Sequence, residues 1–143
     1  MRFLDTNILL YSISGDPTEE SKRRTARAIL DEPDLGLSTQ VLQEFVVQAT
    51  RPTRSDRIEI DDALELIETW LRFPVQETTV EVVTNAARAA ARWQISYWDA
   101  AIIEAARLLG CRRVLSEALN HGQEFGGVSI FNPFRGDPPT ASR

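Results

Sequence analysis

Residues 2–11 read Arg2-Phe3-Leu4-Asp5-Thr6-Asn7-Ile8-Leu9-Leu10-Tyr11. The first residues form a short apolar strand that ends on an acid, and the apolar run Ile8 to Tyr11 starts a helix. Thr6-Asn7 reads as a tight turn between them, with polar side chains able to cap that helix. An ionised carboxylate so close to an apolar strand is costly unless something pairs with it. Asp5 therefore has two readings, as the N-cap of the helix and as a functional acid. Thr6 and Asn7 carry hydrogen-bonding groups that could orient it.

The same alternation continues outward from this stretch. Gly15-Asp16-Pro17 breaks the chain, and a charged amphipathic helix runs from Thr18 to Leu30. Asp34 to Leu37 is a second strand, after which Ser38 and Thr39 cap a helix with Val41, Leu42, Phe45, Val46 and Ala49 at helical spacing. Pro52 stops it, and a helix over 61–73 follows. Val75-Gln76-Glu77 is a brief extended piece that leads into a helix over 80–93. Ser96 opens another, which Gly110 ends. Arg113 to Leu115 and Val128 to Phe131 are the last two strands. Short strands alternating with amphipathic helices predict an α/β fold with a central, mostly parallel sheet of four to five short strands. Residues 1–134 read as a single domain, and the Pro-, Gly- and Ser-bearing stretch 135–143 as a flexible tail.

Composition excludes several classes. The chain has 143 residues, the length of one globular domain. Its single cysteine, Cys111, cannot form an internal disulfide, so an intracellular protein is expected, with the thiol as a small core residue. No apolar run approaches the roughly 20 residues that span a bilayer, and the N-terminus lacks the pattern of a signal peptide. The formal net charge is −5, and Lys22 is the only lysine. Bulk charge therefore does not draw the chain to nucleic acid, and such binding needs a local patch or bound cations. His121 is the only histidine, which excludes paired-imidazole and multi-histidine zinc chemistry. Neither GxxxxGK[ST] nor GxGxxG is present.

In parallel sheets, ligands bind at the carboxyl ends of strands. Three polar clusters fall there: Asp5-Thr6-Asn7, Ser38-Thr39, and Ser116-Glu117 with Asn120. Asp99 sits in Ser96-Tyr97-Trp98-Asp99, which has the form of a capping box; it reads either as a helix-start acid or as an acid facing a cleft. Glu44 lies in the row Gln40, Glu44, Gln48, which is either a solvated face or the edge of the sheet. Glu117 is either a site acid or a solvated turn residue. Carboxylates gathered at one sheet edge would repel one another. Oxygen-preferring divalent cations, Mg²⁺ or Mn²⁺, relieve that repulsion, lower the pKa of bound water and stabilise charge on a phosphodiester.

Four blocks in order carry a family likeness: FLDTNILLY from Phe3, LSTQVLQEF from Leu37, YWDAAIIEAA from Tyr97 and VLSEALNHGQEFGGVSIFNPF from Val114. Together they resemble the PIN-domain ribonucleases, most closely the VapC-type toxins of bacterial toxin–antitoxin pairs. The resemblance implies a three-layer α/β/α sandwich and cytoplasmic cleavage of RNA with Mg²⁺ or Mn²⁺. It also implies a homodimer restrained by a VapB-like antitoxin. Carried over by position, Asp5, Glu44 and Asp99 are metal-site acids, Glu117 is a further catalytic candidate, and Thr6, Asn7 and Ser38 support them. Arg51, Arg54 and Arg57 are candidates to guide the RNA backbone, or else belong to a solvated loop. One departure stands out. Relatives commonly read S-E-D-L-N-H-G where this chain has Ser116-Glu117-Ala118-Leu119-Asn120-His121-Gly122, so an acid is replaced by Ala118. The leading expectation is a metal-dependent endoribonuclease toxin. The alternative is a catalytically weakened module that binds RNA or an antitoxin without efficient cleavage.

Overall fold

The computed structural model describes residues 1–135; the rest of the stretch expected to be a tail lies outside the described residues. In chain order the elements are β1 (Arg2–Leu4), α1 (Thr6–Ser12), a 3₁₀ turn (Pro17–Glu19), α2 (Glu20–Leu30), β2 (Leu35–Ser38), α3 (Thr39–Ala49) and α4 (Ile60–Trp70). Then come β3 (Val75–Gln76), α5 (Val80–Trp93), α6 (Tyr97–Leu109), β4 (Arg113–Leu115), β5 (Glu124–Phe125) and β6 (Val128–Phe131). The strands form one sheet in the order β3-β2-β1-β4-β6-β5.

β1 occupies a central place because its side chains are apolar on both faces, as a doubly covered parallel strand requires. Phe3 lies in register with Gly36 on one side and Val114 on the other, and all three pairings around β1 and β4 are parallel. Phe3, Leu4, Leu35, Leu37, Val114 and Leu115 are wholly removed from solvent. Helical residues Ile8, Leu9, Val41 and Phe45 close over them, and the Phe45 ring meets Trp70 edge-on at 4.8 Å. The α6 helix is buried through Ala100, Ala101, Ala105 and Ala106, whose small side chains let it approach closely.

Two expectations need correction. The sheet has six strands, not four to five. The additional one, β5, is two residues long and pairs antiparallel with β6 (Phe125 opposite Val128). Its turn is Gly126-Gly127, with φ of 57° and 94°, a geometry that only glycine adopts cheaply. A two-residue strand carries no period-2 pattern to read. In addition, Thr6-Asn7 is not a separate turn. Helix α1 begins at Thr6, directly after Asp5.

Gly36 in β2 is held to glycine by its neighbours. A Cβ there would lie 2.6 Å from Leu109 Cδ2, 3.1 Å from Met1 Sδ and 3.3 Å from Cys111 Sγ. Overpacking of this kind costs about 1–3 kcal/mol. Gly36→Val is therefore expected to lower the unfolding free energy by that amount, measured as a lower urea midpoint; an unchanged midpoint would show that these side chains yield freely.

Candidate functional site

Parallel pairing brings the carboxyl ends of β1, β2 and β4 to one edge of the sheet, so the residues after them share a rim. Asp5 follows β1 and serves as the N-cap of α1. It is 8% exposed, a charged residue at the margin of the core. Its Oδ1 accepts from the Thr6 backbone N–H at 2.7 Å, and its Oδ2 from the Ser116 hydroxyl at 2.7 Å. Burial pushes the Asp5 carboxyl above its ordinary value. The bonds from Ser116 and Thr6 pull it down, and the negative charges of Glu44 and Asp99 push it up again, with a raised value as the net result. Acids from two other segments thus act on Asp5 at this edge.

Glu44, on α3, is half-buried and accepts from the Thr6 hydroxyl at 2.6 Å. Gln40, one turn earlier, is 9% exposed and donates both to Glu44 Oε2 (3.4 Å) and to the Trp98 carbonyl (3.3 Å). One amide therefore links α3 to the first turn of α6, where Asp99 stands. The Gln40–Glu44 part of the polar row faces this rim, while Gln48 is exposed. Ser96 caps α6 through the Asp99 backbone N–H at 3.1 Å, which leaves the half-buried Asp99 carboxylate without a hydrogen bond from any described residue.

Ser116 sits at the centre of the arrangement. Fully buried, its hydroxyl donates to Asp5 and accepts from Ala118 N (3.0 Å), Leu119 N (3.2 Å) and Asn7 Nδ2 (3.4 Å). Asn7 also accepts from the Glu117 backbone N–H at 3.1 Å, which fastens the loop after β4 to α1. Gln40 is not an expected site residue, and Ser116 is expected only as a member of the polar cluster after β4. The one signal for Ser116 was its place directly after an apolar strand.

Glu117 points elsewhere. Its carboxylate pairs with Lys22 at 2.5 Å and accepts the Tyr11 hydroxyl. Burial and the bond to Glu117 push the Tyr11 phenol up to about 12. The Tyr11 ring meets Phe134 edge-on at 4.9 Å, and Lys22 lies over the Tyr11 ring. Ala118 and Asn120 are exposed. Ser38 is spent on its own helix, accepting from Val41 N at 3.3 Å. Arg51 and Arg57 are exposed, whereas Arg54 pairs with Asp56 at 2.8 Å. Arg54 also lines a cleft of about 200 Å³ with Asn7, Leu10, Tyr11 and Glu19, beside the acidic rim. His121 accepts from Asn132 N at 3.0 Å, and burial pushes the Cys111 thiol up to about 11, as an inert core cysteine requires.

Among the described residues, no three Asp, Glu, His or Cys side chains close into a ready-made metal cage. The donor chemistry nevertheless fits a hard divalent cation: Asp5, Glu44 and Asp99 offer oxygen alone, and Asp5 is buried against two like charges. Mg²⁺ keeps several waters and takes one or two carboxylates directly, so a tight trio is not demanded.

The PIN-domain family model matches residues 2–117. Among solved structures, a toxin–antitoxin complex from Klebsiella pneumoniae is 18% identical, with a TM-score of 0.67 over 93% of this chain and 98% of that one. VapC20 of Mycobacterium tuberculosis, a toxin that cleaves the sarcin-ricin loop, is 20% identical, with a TM-score of 0.62 over 80% of this chain and 87% of that one. VapBC2 of Rickettsia felis, bound to a DNA fragment from its promoter, is 14% identical, with a TM-score of 0.63 over 92% and 97%. No curated protein sequence matches the chain. Among the described residues, no helix is long and apolar enough to cross a membrane.

Proposed function

The chain belongs to the PIN-domain family, and from that premise we propose that it is a VapC-type toxin, an endoribonuclease that uses Mg²⁺ or Mn²⁺. The observation that supports this reading most strongly is the electrostatic meeting of Asp5, Glu44 and Asp99 at one sheet edge, from segments far apart in sequence. The solved structures it resembles include toxin–antitoxin complexes, which supports a VapB-like antitoxin as partner. RNA is the substrate and the working form is a homodimer in this reading.

Asp5, Asp99 and Glu44 would hold the cation. When bound, it supplies a nucleophilic water at neutral pH and charge stabilisation on the phosphodiester. Asp5 is kept in one orientation by Ser116 and the Thr6 N–H, one on each carboxylate oxygen. Glu44 is braced by Thr6 and Gln40, orients water at the rim and takes up its proton. Asp99, free of hydrogen bonds from the described residues, is the acid most available to a ligand. Arg54 contacts the RNA backbone from the adjacent cleft. Cleavage of a structured RNA in Mg²⁺ or Mn²⁺, abolished by chelator, is the expected result; RNA binding that chelator leaves unchanged, with no cleavage, would overturn the nuclease reading.

That second outcome describes the weakened binding module, and one observation favours it. The Glu117 carboxylate is committed to Lys22 and Tyr11, so it does not replace the acid missing at Ala118. Ala118→Asp is expected to tighten Mn²⁺ binding by roughly 10-fold or more. An unchanged affinity in a calorimetric titration would show that this position does not reach the ion.

A further inference from the structure

The chain has three tryptophans, and their environments differ sharply. Trp70 is 4% exposed, Trp93 is half-buried against Phe125, and Trp98 is 65% exposed. Trp98 stands in the first turn of α6, immediately before Asp99. Its position is fixed on two sides. Gln40 donates to its carbonyl at 3.3 Å while also holding Glu44, and the Tyr97 ring meets the indole edge-on at 5.0 Å. The backbone that carries this large, exposed flat side chain is thus held by the same amide that braces one acid, and it stands next to another.

The charge at this rim decides what it can grip. Acids repel phosphate, and the charge of Arg54, the arginine lining the adjacent cleft, is partly offset by Asp56. A nucleobase face is uncharged and stacks on an aromatic ring without opposing that field. The exposed residues that precede it in the chain, Gln94 and Ser96, are polar, unlike the apolar core of an interface between protein copies. We propose that Trp98 is the stacking platform for an unpaired base of the RNA beside the bond to be cut, and so a substrate-positioning residue. This rests on the nuclease reading above for the cut itself, but the stacking can be tested apart from it.

Trp98→Ala, Trp98→Phe and the wild-type chain should be compared in two measurements. In the first, a single-stranded RNA oligonucleotide is titrated in chelator and the tryptophan emission is followed. Quenching is expected in the wild-type chain and not in Trp98→Ala. In the second, cleavage in Mn²⁺ is expected to show KM raised about 5- to 150-fold in Trp98→Ala, the equivalent of the roughly 1–3 kcal/mol from stacking one base. Trp98→Phe should recover most of the loss, and kcat should change little. Equal quenching in Trp98→Ala and the wild-type chain, or an unaltered KM, would overturn the proposal. So would a Trp98→Ala chain whose elution volume shifts with its activity, because that marks an interface between copies. Quenching without any wild-type cleavage would leave the platform standing and remove the nuclease reading instead.

Discussion

Asp5→Asn is expected to reduce RNA cleavage by about 10²-fold or more and, in the same protein, to raise the melting temperature. The two effects share one cause. Asp5 is buried against the like charges of Glu44 and Asp99, and its carboxyl titrates above the ordinary value of 3.8. The native state therefore holds that proton more tightly than the unfolded chain does. Above the raised native value the ionised Asp5 opposes folding in full. That penalty shrinks as pH falls from there towards 3.8, and below 3.8 both states are protonated and it is gone. Asparagine keeps an oxygen for the Thr6 N–H and removes the charge; its amide nitrogen, in place of Oδ2, gives up the bond from Ser116, which offsets part of the relief. A gain on the order of 1 kcal/mol at neutral pH is expected, seen as a rise of a few degrees, as is common when a functional strain is relieved. The gain should diminish as the unfolding scans are moved to lower pH. A lower melting temperature with cleavage retained would reduce Asp5 to a helix cap and nothing more.

Much of this architecture was legible because it is written in periodicities. Alternating strand and helix patterns placed five of the six strands, and the acid at the end of β1 stood out against its apolar surroundings. What escaped has a physical reason in each case. β5 is too short to show a pattern and depends on two glycines in left-handed geometry. Gln40 lies in a row that looks solvated at i, i+4 spacing, yet its first half turns inward because Trp98 offers a carbonyl. The commitment of Glu117 depends on Lys22, a partner 95 residues away, and no local rule reports such a pair. A serine after a strand is ordinary in sequence; only the folded loop shows how many donors converge on it.

Ser116→Ala is the variant in which that convergence has the largest consequence. The hydroxyl, itself fully buried, donates to Asp5 Oδ2 and accepts from the Ala118 and Leu119 backbone N–H groups. Its removal takes away the acceptor of two partly buried N–H groups and a bond to the Asp5 carboxylate, a loss of about 1–2 kcal/mol in stability. It also frees the Asp5 carboxylate to rotate. Losses of about 10- to 100-fold in activity accompany the removal of groups that orient a metal-site ligand. A purely structural serine would give the first effect without the third and most specific one, which concerns pH. The Ser116 bond pulls the Asp5 carboxyl down, so its removal raises that carboxyl further above 3.8. The acid limb of the pH–rate profile should therefore move to higher pH in Ser116→Ala, and Ser116→Thr, which keeps the hydroxyl, should restore it. An acid limb that stays in place while activity falls would show that Ser116 supports the loop after β4 and has no hold on the charge of Asp5.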